Sequence, residues 1–345
     1  MKVDFIIVGQ GIAGTSFAFE LIKQNKTFVV VDKLNTNSAS RIALGIYNPL
    51  ILKWFSKVWD IDNQLEYFYH FYNDFNHFLG SNLYSDIGIY KFLKNPYDQN
   101  NWLTKQISVN RSNYMSSKLF SISNKGLVNK KTYGIVKSAG RVNIQLVLNL
   151  FRQYCIQKNI LINEKLEYDN LKIKSKSIHF QDIQADKIIF CQGYSGANNP
   201  YFNNLNLKPT KGEILTIYSK DLNLKQIIHS GFLFTSIGND HYSIGATYDW
   251  QDITAKPTLE GKNILVGRLN SILKAKYKVT NHQAGIRPST FDRRPFAGPH
   301  QKYNNVYILN GLGTRGILMA PYLSRLLINN IYKDGLINNT ININR

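Results

Sequence analysis

The fold of this 345-residue chain is decided by residues 5–14, which read Phe-Ile-Ile-Val-Gly-Gln-Gly-Ile-Ala-Gly. The four apolar residues that begin this stretch are typical of a central parallel strand that is covered on both faces. The sequence that follows predicts a helix and then a second strand over residues 27–31, which ends at Asp32. A strand, a G-x-G-x-x-G turn, a helix, a strand and an acidic residue in this order predict a unit that binds a dinucleotide.

Each part of this motif has its own physical task. Gly9 lets the chain turn tightly off the strand, Gly11 leaves room for a pyrophosphate, and Gly14 lets the helix pack close to the sheet. The helix that starts here offers free N–H groups and a positive dipole end to phosphates. Asp32 is placed to accept hydrogen bonds from ribose hydroxyls, and its charge would repel the 2′-phosphate of NADP. The motif alone does not distinguish FAD from NAD.

Length, net charge and cysteine count limit the kinds of protein that this chain can be. With 345 residues, 43% of them apolar, the chain is long enough for about two globular domains. Its net charge of +20 indicates either a nucleic-acid or anionic partner, or lysines spread over a solvated surface. Cys155 and Cys191 fit no disulfide framework or metal-ligand spacing, so we expect two core residues, a reducing compartment and no metal site.

No apolar run is long enough for a membrane helix, and the first residues already read as a strand. We therefore expect a cytoplasmic protein with no signal peptide and no membrane partner.

The rest of the chain predicts a mixed α/β architecture. We expect helices over residues 63–79, after Asn143, over residues 258–275 and after Gly316, and strands within residues 160–190, 211–218, 231–245 and 306–310. This order predicts a Rossmann-like domain with a mainly parallel sheet, and an inserted α+β domain that contains an antiparallel sheet. The nucleotide-binding domain is expected to comprise residues 1–85, 140–210 and 286–345, and the second domain residues 86–139 and 211–285.

Short motifs follow one another along the chain in a fixed order. The most specific group is Ala284-Gly285-Ile286-Arg287-Pro288, residues 292–295, Gly298, and residues 311–316 with Met319-Ala320-Pro321 after them. Earlier members are residues 38–45, 140–143, 185–193, 211–213 and 244–247. Together, and over nearly the whole chain, they resemble the D-amino-acid oxidase superfamily, and most of all its glycine oxidase and sarcosine oxidase branch. The flavin domain of the bifunctional enzyme that modifies the tRNA wobble uridine belongs to the same branch.

The resemblance implies FAD as the cofactor. It also implies a non-covalent flavin, because no cysteine lies near residues 311–316 to form the sulfur link of sarcosine oxidases. The helix end at residues 311–316 is expected to face the pyrimidine end of the flavin ring, where its dipole would stabilise reduced flavin. The residues expected to contact FAD are Gly9, Gly11, Ile12, Ala13, Gly14, Asp32, Lys33, Ser40, Arg41, Gly45, Gly193, Gly311, Gly313, Thr314, Arg315 and Gly316.

The resemblance further implies hydride transfer from the α-carbon of an unprotonated amine to flavin N5. Arg287 and Arg315 match positions that clamp the substrate carboxylate in glycine oxidase, and a guanidinium fork binds a carboxylate through two parallel hydrogen bonds. Arg315 also stands at a helix N-terminus, where a cation is unfavourable unless an anion meets it. The alternative for either arginine is an ion pair with a nearby acid.

One stretch departs from the glycine oxidase pattern. Glycine oxidase has a tyrosine on the substrate sheet that helps to hold the carboxylate, whereas residues 232–234 here are Phe-Leu-Phe. Tyr242 and Tyr248 lie near in the sequence, but neither aligns clearly with that tyrosine. The departure indicates a substrate that differs from free glycine.

Three functions therefore stay open at the level of sequence. The first is oxidation of the C–N bond of a small amino acid or an N-substituted glycine. The second is oxidation of a carboxymethylaminomethyl group on a tRNA wobble uridine, which the net charge of +20 favours. The start of the chain at the nucleotide-binding strand, without the methyltransferase domain of the bifunctional enzyme, counts against it. The third is a flavoprotein without turnover, against which the retention of Arg287 and Arg315 argues.

Overall fold

The computed structural model describes residues 1–108, 111–128, 131–343 and 345. The helices of this part of the chain are α1 (Ile12–Lys23), α2 (Ala39–Ile42), α3 (Ile61–Leu79), α4 (Pro96–Gln106), α5 (Ile144–Gln157), α6 (Leu259–Asn270) and α7 (Gly316–Tyr332). Its strands are β1 (Lys2–Val8), β2 (Phe28–Val31), β3 (Ile46–Tyr47), β4 (Leu50–Ile51), β5 (Ser56–Lys57), β6 (Tyr84–Ser85), β7 (Ile89–Leu93), β8 (Phe120–Ser121), β9 (Thr132–Val136), β10 (Gly140–Val142), β11 (Leu161–Ile162), β12 (Leu171–Lys174), β13 (Ser177–Phe180), β14 (Ile183–Phe190), β15 (Thr210–Tyr218), β16 (Ile227–His229), β17 (Leu233–Gly238), β18 (His241–Gly245), β19 (Lys278–Arg287), β20 (Phe296–Pro299) and β21 (Val306–Asn310).

The first sheet contains the βαβ unit that the sequence predicts. Its strand order is β11-β2-β1-β14-β13-β12, and β21 pairs with β14 and β20. Strands β11, β2, β1, β14 and β21 are parallel, and Val8 lies beside both Val31 and Phe190. The carboxyl ends of β1, β2 and β14 are therefore level with one another, at the edge where open α/β sheets bind their ligands.

The second sheet is the inserted one. Its strand order is β19-β15-β18-β17-β16-β7-β9-β8, and its neighbours are antiparallel except for the parallel pair β16 and β7. The strands come from two stretches of chain, within residues 89–136 and residues 210–287. The α/β class with an inserted antiparallel sheet is confirmed, while the predicted domain boundaries stay a prediction.

The helices pack through the apolar faces that the sequence predicts. Phe68, Phe71 and Phe75 of α3 are fully buried, and the ring of Phe75 stacks on that of Phe19 from α1 with centroids 4.4 Å apart. Burial of one such side chain stabilises the fold by about 1.5–3 kcal/mol. The cap expected for α5 is also present, because the side chain of Asn143 accepts a hydrogen bond from the backbone N–H of Leu146 at 3.2 Å. This aromatic and aliphatic core fixes α1 and α7 against the first sheet.

Two details differ from the predictions. The helix expected over residues 258–275 ends at Asn270, and Thr258 caps its start by accepting a hydrogen bond from the backbone N–H of Gly261 at 3.0 Å. The alternation in residues 211–218 predicts β15 correctly but does not predict that Lys211 and Glu213 are buried. In the described ranges, no helix is long and apolar enough to cross a membrane.

Candidate active site

A cavity of about 580 Å³ lies between the carboxyl edge of the first sheet and one face of the second sheet. This volume is typical of a ligand pocket, for which about 300–1,000 Å³ is usual. The predicted site residues that line it are Gly9, Gly11, Ile12, Ala13, Asp32, Lys33, Ser40, Arg41, Gly45, Gly193, Arg287, Gly313, Thr314 and Gly316. Gly14, Gly311 and Arg315 are not among its lining residues in the described part of the chain.

The three glycines at the start of α1 are required for different steric reasons. Gly9 has a φ of +100°, and a Cβ there would lie 2.6 Å from the carbonyl oxygen of Cys191. A Cβ on Gly14 would lie 1.9 Å from the carbonyl oxygen of Gly9, so the helix packs too closely for a side chain. A Cβ on Gly11 would approach only the side chain of Ser40, at 3.2 Å, and Gly11 lines the cavity. Gly9 and Gly14 therefore serve the fold, while Gly11 keeps space in the cavity open.

The carboxylate of Asp32 is held in place by groups from two other parts of the chain. Its Oδ1 accepts a hydrogen bond from the backbone N–H of Gln10 at 2.9 Å, and its Oδ2 accepts one from Arg152 at 2.8 Å. Arg152 also donates to Asn163 at 2.7 Å. Sequence reasoning missed Arg152, although one signal was present. Arg152 lies on the same helical face as Leu148, and a buried arginine requires a charged or polar partner.

Arg41 brings an unsatisfied cation to the edge of the cavity. Its Nη1 donates to the side chain of Asn149 at 2.7 Å, whereas its Nη2 is buried without a hydrogen-bond partner among the described residues. Burial lowers the pKa of Arg41, and the positive charge of Arg152 lowers it further, against the opposing effect of Asp32. Its neighbour Ser40 accepts a hydrogen bond from the backbone N–H of Ile12 at 3.1 Å. A buried, unpaired guanidinium N–H beside a cavity fits an anionic ligand such as a phosphate.

The N-terminus of α7 forms a second helix end at the cavity. Gly311 and Gly313, with φ values of +74° and +54°, shape the turn that precedes it. Gly313, Thr314 and Gly316 line the cavity, and the helix begins at Gly316. Free N–H groups and the positive dipole end at this point favour negative charge in the cavity.

Arg287 reaches the cavity from the end of β19. Its guanidinium donates to the backbone carbonyls of Lys211 at 3.1 Å and Thr247 at 3.2 Å, and lies 4.5 Å from the ring centroid of Tyr248. A Cβ on Gly212 would lie 1.9 Å from Nη2 of Arg287, so the glycine makes room for the guanidinium. Burial lowers the pKa of Arg287, and Tyr248 opposes this effect. The arginine stays charged at neutral pH and has donors to spare, because a guanidinium carries five N–H groups.

Arg315 is held differently from Arg287. It donates to the backbone carbonyls of Asn48 at 3.0 Å and Leu50 at 3.4 Å. Burial lowers the pKa of Arg315 to about 10, while Tyr248 opposes this effect and Arg293 adds to it. The sequence predicts an anion beside the guanidinium of Arg315. In the structure, two backbone carbonyl groups accept hydrogen bonds from it. Tyr248 raises the pKa of both arginines, but of the two only Arg287 lines the cavity in the described part of the chain.

The two tyrosines that the sequence left unassigned lie in different surroundings. Tyr248 lines the cavity, whereas Tyr242 is buried in the core, where its hydroxyl accepts a hydrogen bond from the backbone N–H of Leu224 at 3.3 Å. Phe232 and Phe234 are also buried, and only Leu233 of that stretch faces the cavity. These features define an α/β site of the dinucleotide-binding kind, in which two helix N-termini and the side chain of Arg287 line one cavity.

Comparison with known proteins gives the family. A family model described as FAD dependent oxidoreductase (DAO) matches residues 4–329, and the chain belongs to this family. The bifunctional protein MnmC of tRNA 5-methylaminomethyl-2-thiouridine biosynthesis from Marinobacter nauticus is 29% identical over 167 residues, which are 44% of this chain and 26% of that protein. The glycine oxidase of Bacillus subtilis is 24% identical over 357 residues, which cover 94% of this chain and 91% of that enzyme. The chain thus spans about a quarter of MnmC but most of glycine oxidase.

Solved structures show the same fold. Glycine oxidase from Bacillus cereus superposes with a TM-score of 0.79 at 20% identity, over 96% of this chain and 95% of that one. Iminodiacetate oxidase from Chelativorans superposes with a TM-score of 0.78 at 17% identity, over 94% of each chain. The protein is therefore an FAD-dependent oxidoreductase with the glycine oxidase fold.

The residues of this chain fit FAD. The open space at Gly11 and the unpaired Nη2 of Arg41 suit a pyrophosphate, and Asp32 has room for ribose hydroxyls at its exposed side. The N-terminus of α7 suits the electron-rich end of the flavin ring. We expect those predicted cofactor residues that line the cavity to hold FAD, with Arg152 fixing Asp32 in position.

Proposed function

We propose that this enzyme oxidises the C–N bond of a small amino acid or an N-substituted glycine. The observation that carries the proposal is the guanidinium of Arg287, which faces the same cavity as the helix ends at Gly11 and Gly316. In the described structure its hydrogen bonds go to two backbone carbonyls, which leaves further N–H groups of the guanidinium for a ligand. A carboxylate fits this fork best, because it accepts two parallel hydrogen bonds.

The residues around Arg287 prepare the substrate for oxidation. Arg287 binds the carboxylate and so fixes the position of the α-carbon, and the ring of Tyr248 lies beside the guanidinium. The charges of Arg287 and Arg315, with the dipole of α7, disfavour an ammonium group and so favour the neutral amine that the reaction needs. Ile214 and Leu233 form an apolar wall that excludes water. FAD, when bound, accepts the hydride that leaves the α-carbon.

The proposal is tested by the visible spectrum of the FAD-loaded enzyme without oxygen. We expect the flavin band to bleach on addition of glycine, sarcosine, N-benzylglycine or a D-amino acid, because hydride transfer reduces the flavin. The product is then identified by mass spectrometry as the corresponding oxo acid or amine. A flavin band that none of these compounds bleaches, in enzyme that dithionite still reduces, contradicts the proposal.

A second candidate is oxidation of a carboxymethylaminomethyl group on a tRNA wobble uridine. The likeness to MnmC favours it, and so does the net charge of +20, although the chain spans only 26% of that protein. Phosphate contacts would make tRNA binding weaken steeply between roughly 50 and 200 mM salt. Salt-sensitive binding of tRNA that also bleaches the flavin supports this candidate, and tRNA that neither binds nor bleaches it removes the candidate.

We also place the enzyme in the cytoplasm. Cys155 and Cys191 are both free and buried, which suits a reducing compartment. Burial raises the pKa of Cys155 to about 12, and burial also raises that of Cys191, so neither forms a reactive thiolate at neutral pH.

A further inference from the structure

An aromatic ledge stands at the rim of the cavity; we use this name for Tyr248, Trp250 and Ile253. Their exposed fractions are 57%, 59% and 43%. The rings of Tyr248 and Trp250 stack with centroids 6.1 Å apart and an angle of 27° between their planes. Tyr248 and Ile253 also line the cavity, so the ledge continues the inner wall out to solvent. Exposed apolar surface that is contiguous with a ligand cavity is typical of a binding surface.

The backbone beneath the ledge is held firmly. Asp249 and Lys211 exchange backbone hydrogen bonds at 2.8 and 3.1 Å. Oδ1 of Asp249 accepts hydrogen bonds from the backbone N–H groups of Gln251 at 2.8 Å and Asp252 at 3.1 Å. The carboxylate of Asp252 pairs with the ammonium of Lys211, which is fully buried and lies 3.5 Å from Oε1 of Glu213. The ledge is therefore preorganised, and a ligand that binds there need not order a loose loop.

The ledge also adjoins the carboxylate-binding end of the cavity. The guanidinium of Arg287 lies 4.5 Å from the ring centroid of Tyr248, and this ring contacts Trp250 on the exposed side. A glycine whose carboxylate binds Arg287 consequently has Tyr248 as a neighbour. A substituent on its nitrogen that leaves the cavity on this side passes over the ring of Trp250.

We propose that the ledge is a second subsite, which binds a planar aromatic or heteroaromatic ring carried on the nitrogen of an N-substituted glycine. This inference rests on the proposed function, and it narrows the substrate from free small amino acids to secondary amines that bear a ring. Offset or edge-on contact with the two aromatic side chains favours a planar ring over a flexible alkyl chain. Ile253 adds an apolar contact beside them.

Binding is measured first, without turnover, with two thioethers that lack the oxidisable amine. The probes are (benzylthio)acetate and (methylthio)acetate, titrated into FAD-loaded enzyme while the flavin spectrum is recorded. We expect the benzyl probe to bind about three- to tenfold more tightly in the wild type. Trp250→Ala abolishes this preference and Trp250→Phe retains most of it. Tyr97→Ala, which removes a 76% exposed ring from α4, leaves the preference unchanged.

Flavin reduction by two amines is then measured, because it distinguishes failure of the ring-binding ledge from failure of the proposed function. The proposal that the ledge binds a ring is overturned if the wild type binds the two probes with equal affinity. It is also overturned if the preference for the benzyl probe survives Trp250→Ala. If sarcosine and N-benzylglycine reduce the flavin with equal half-saturating concentrations, the ring-binding role of the ledge is overturned, while the proposed function is supported. A ring preference in binding, with no flavin reduction by either amine, supports the ledge and contradicts the proposed function.

Discussion

At the scale of single residues, the two arginines have different partners and should respond differently to substitution. Loss of a hydrogen bond to a charged group costs about 1.5–3 kcal/mol, so we expect Arg287→Ala to weaken substrate binding by roughly 10- to 150-fold. Arg287→Lys should recover part of this loss, because the charge remains while the fork is lost. FAD content should stay at the wild-type level in both variants. The measurements are anaerobic titration with the best amine and the ratio of flavin to protein.

Arg315→Ala provides the comparison for this prediction. We expect it to weaken substrate binding less than Arg287→Ala does, because its guanidinium serves the carbonyls of Asn48 and Leu50. It should also lower the free energy of unfolding, since those two carbonyls lose their donors. Loss of FAD in both alanine variants, with unchanged substrate affinity in any holoenzyme that remains, would refute the carboxylate clamp.

The same scale shows which residues the sequence could predict. Gly9, Gly11 and Gly14 are predictable because their tasks follow from spacing within one local motif. Arg152 is not, because its partner Asp32 is 120 residues away and only the packing of α5 brings them together. Lys211 likewise looks like a surface residue of an alternating strand until the fold supplies Asp252. Buried charges whose partners are distant in sequence leave no periodic signal.

At the scale of elements, the start of α1 separates folding from cofactor binding. We expect Gly11→Ala to keep the fold but lower FAD affinity at least about tenfold, because its Cβ enters cavity space and approaches only Ser40. Gly14→Ala should destabilise the protein itself by about 1–3 kcal/mol or more, because its Cβ collides with the carbonyl of Gly9. Thermal unfolding of the FAD-free variants followed by circular dichroism, and FAD titration by fluorescence, distinguish the two effects.

Equal destabilisation of both FAD-free variants would contradict this division of tasks. Gly267→Ala is a suitable control, because a Cβ at this position of α6 meets no atom within 4 Å. Alanine is a better helix former than glycine, by about 1 kcal/mol, so this control should be neutral or stabilising. It should also bind FAD normally, since α6 does not line the cavity in the described ranges.

At the scale of the whole molecule, the cavity depends on pieces of chain that are far apart in sequence. The ends of β1, β2 and β14 supply one wall, and the face of β15, β18 and β19 supplies the other. The sequence predicts both sheets, because apolar runs and alternation are local patterns. It does not predict which face of the second sheet meets the first, since that choice is made by side chains such as Ile42, which packs against Gly285.

This arrangement predicts that FAD stabilises the molecule as a whole. A ligand that binds only the folded state at about 100 times its Kd adds about 2.7 kcal/mol to the free energy of unfolding. We therefore expect the Tm of FAD-free protein to rise by several degrees as FAD is added, and to depend on the FAD concentration. FMN should stabilise the protein much less, because it lacks the adenosine and second phosphate for which Gly11, Asp32 and Arg41 form a site. An FMN shift as large as that of FAD would mean that the start of α1 does not bind the nucleotide half of the cofactor.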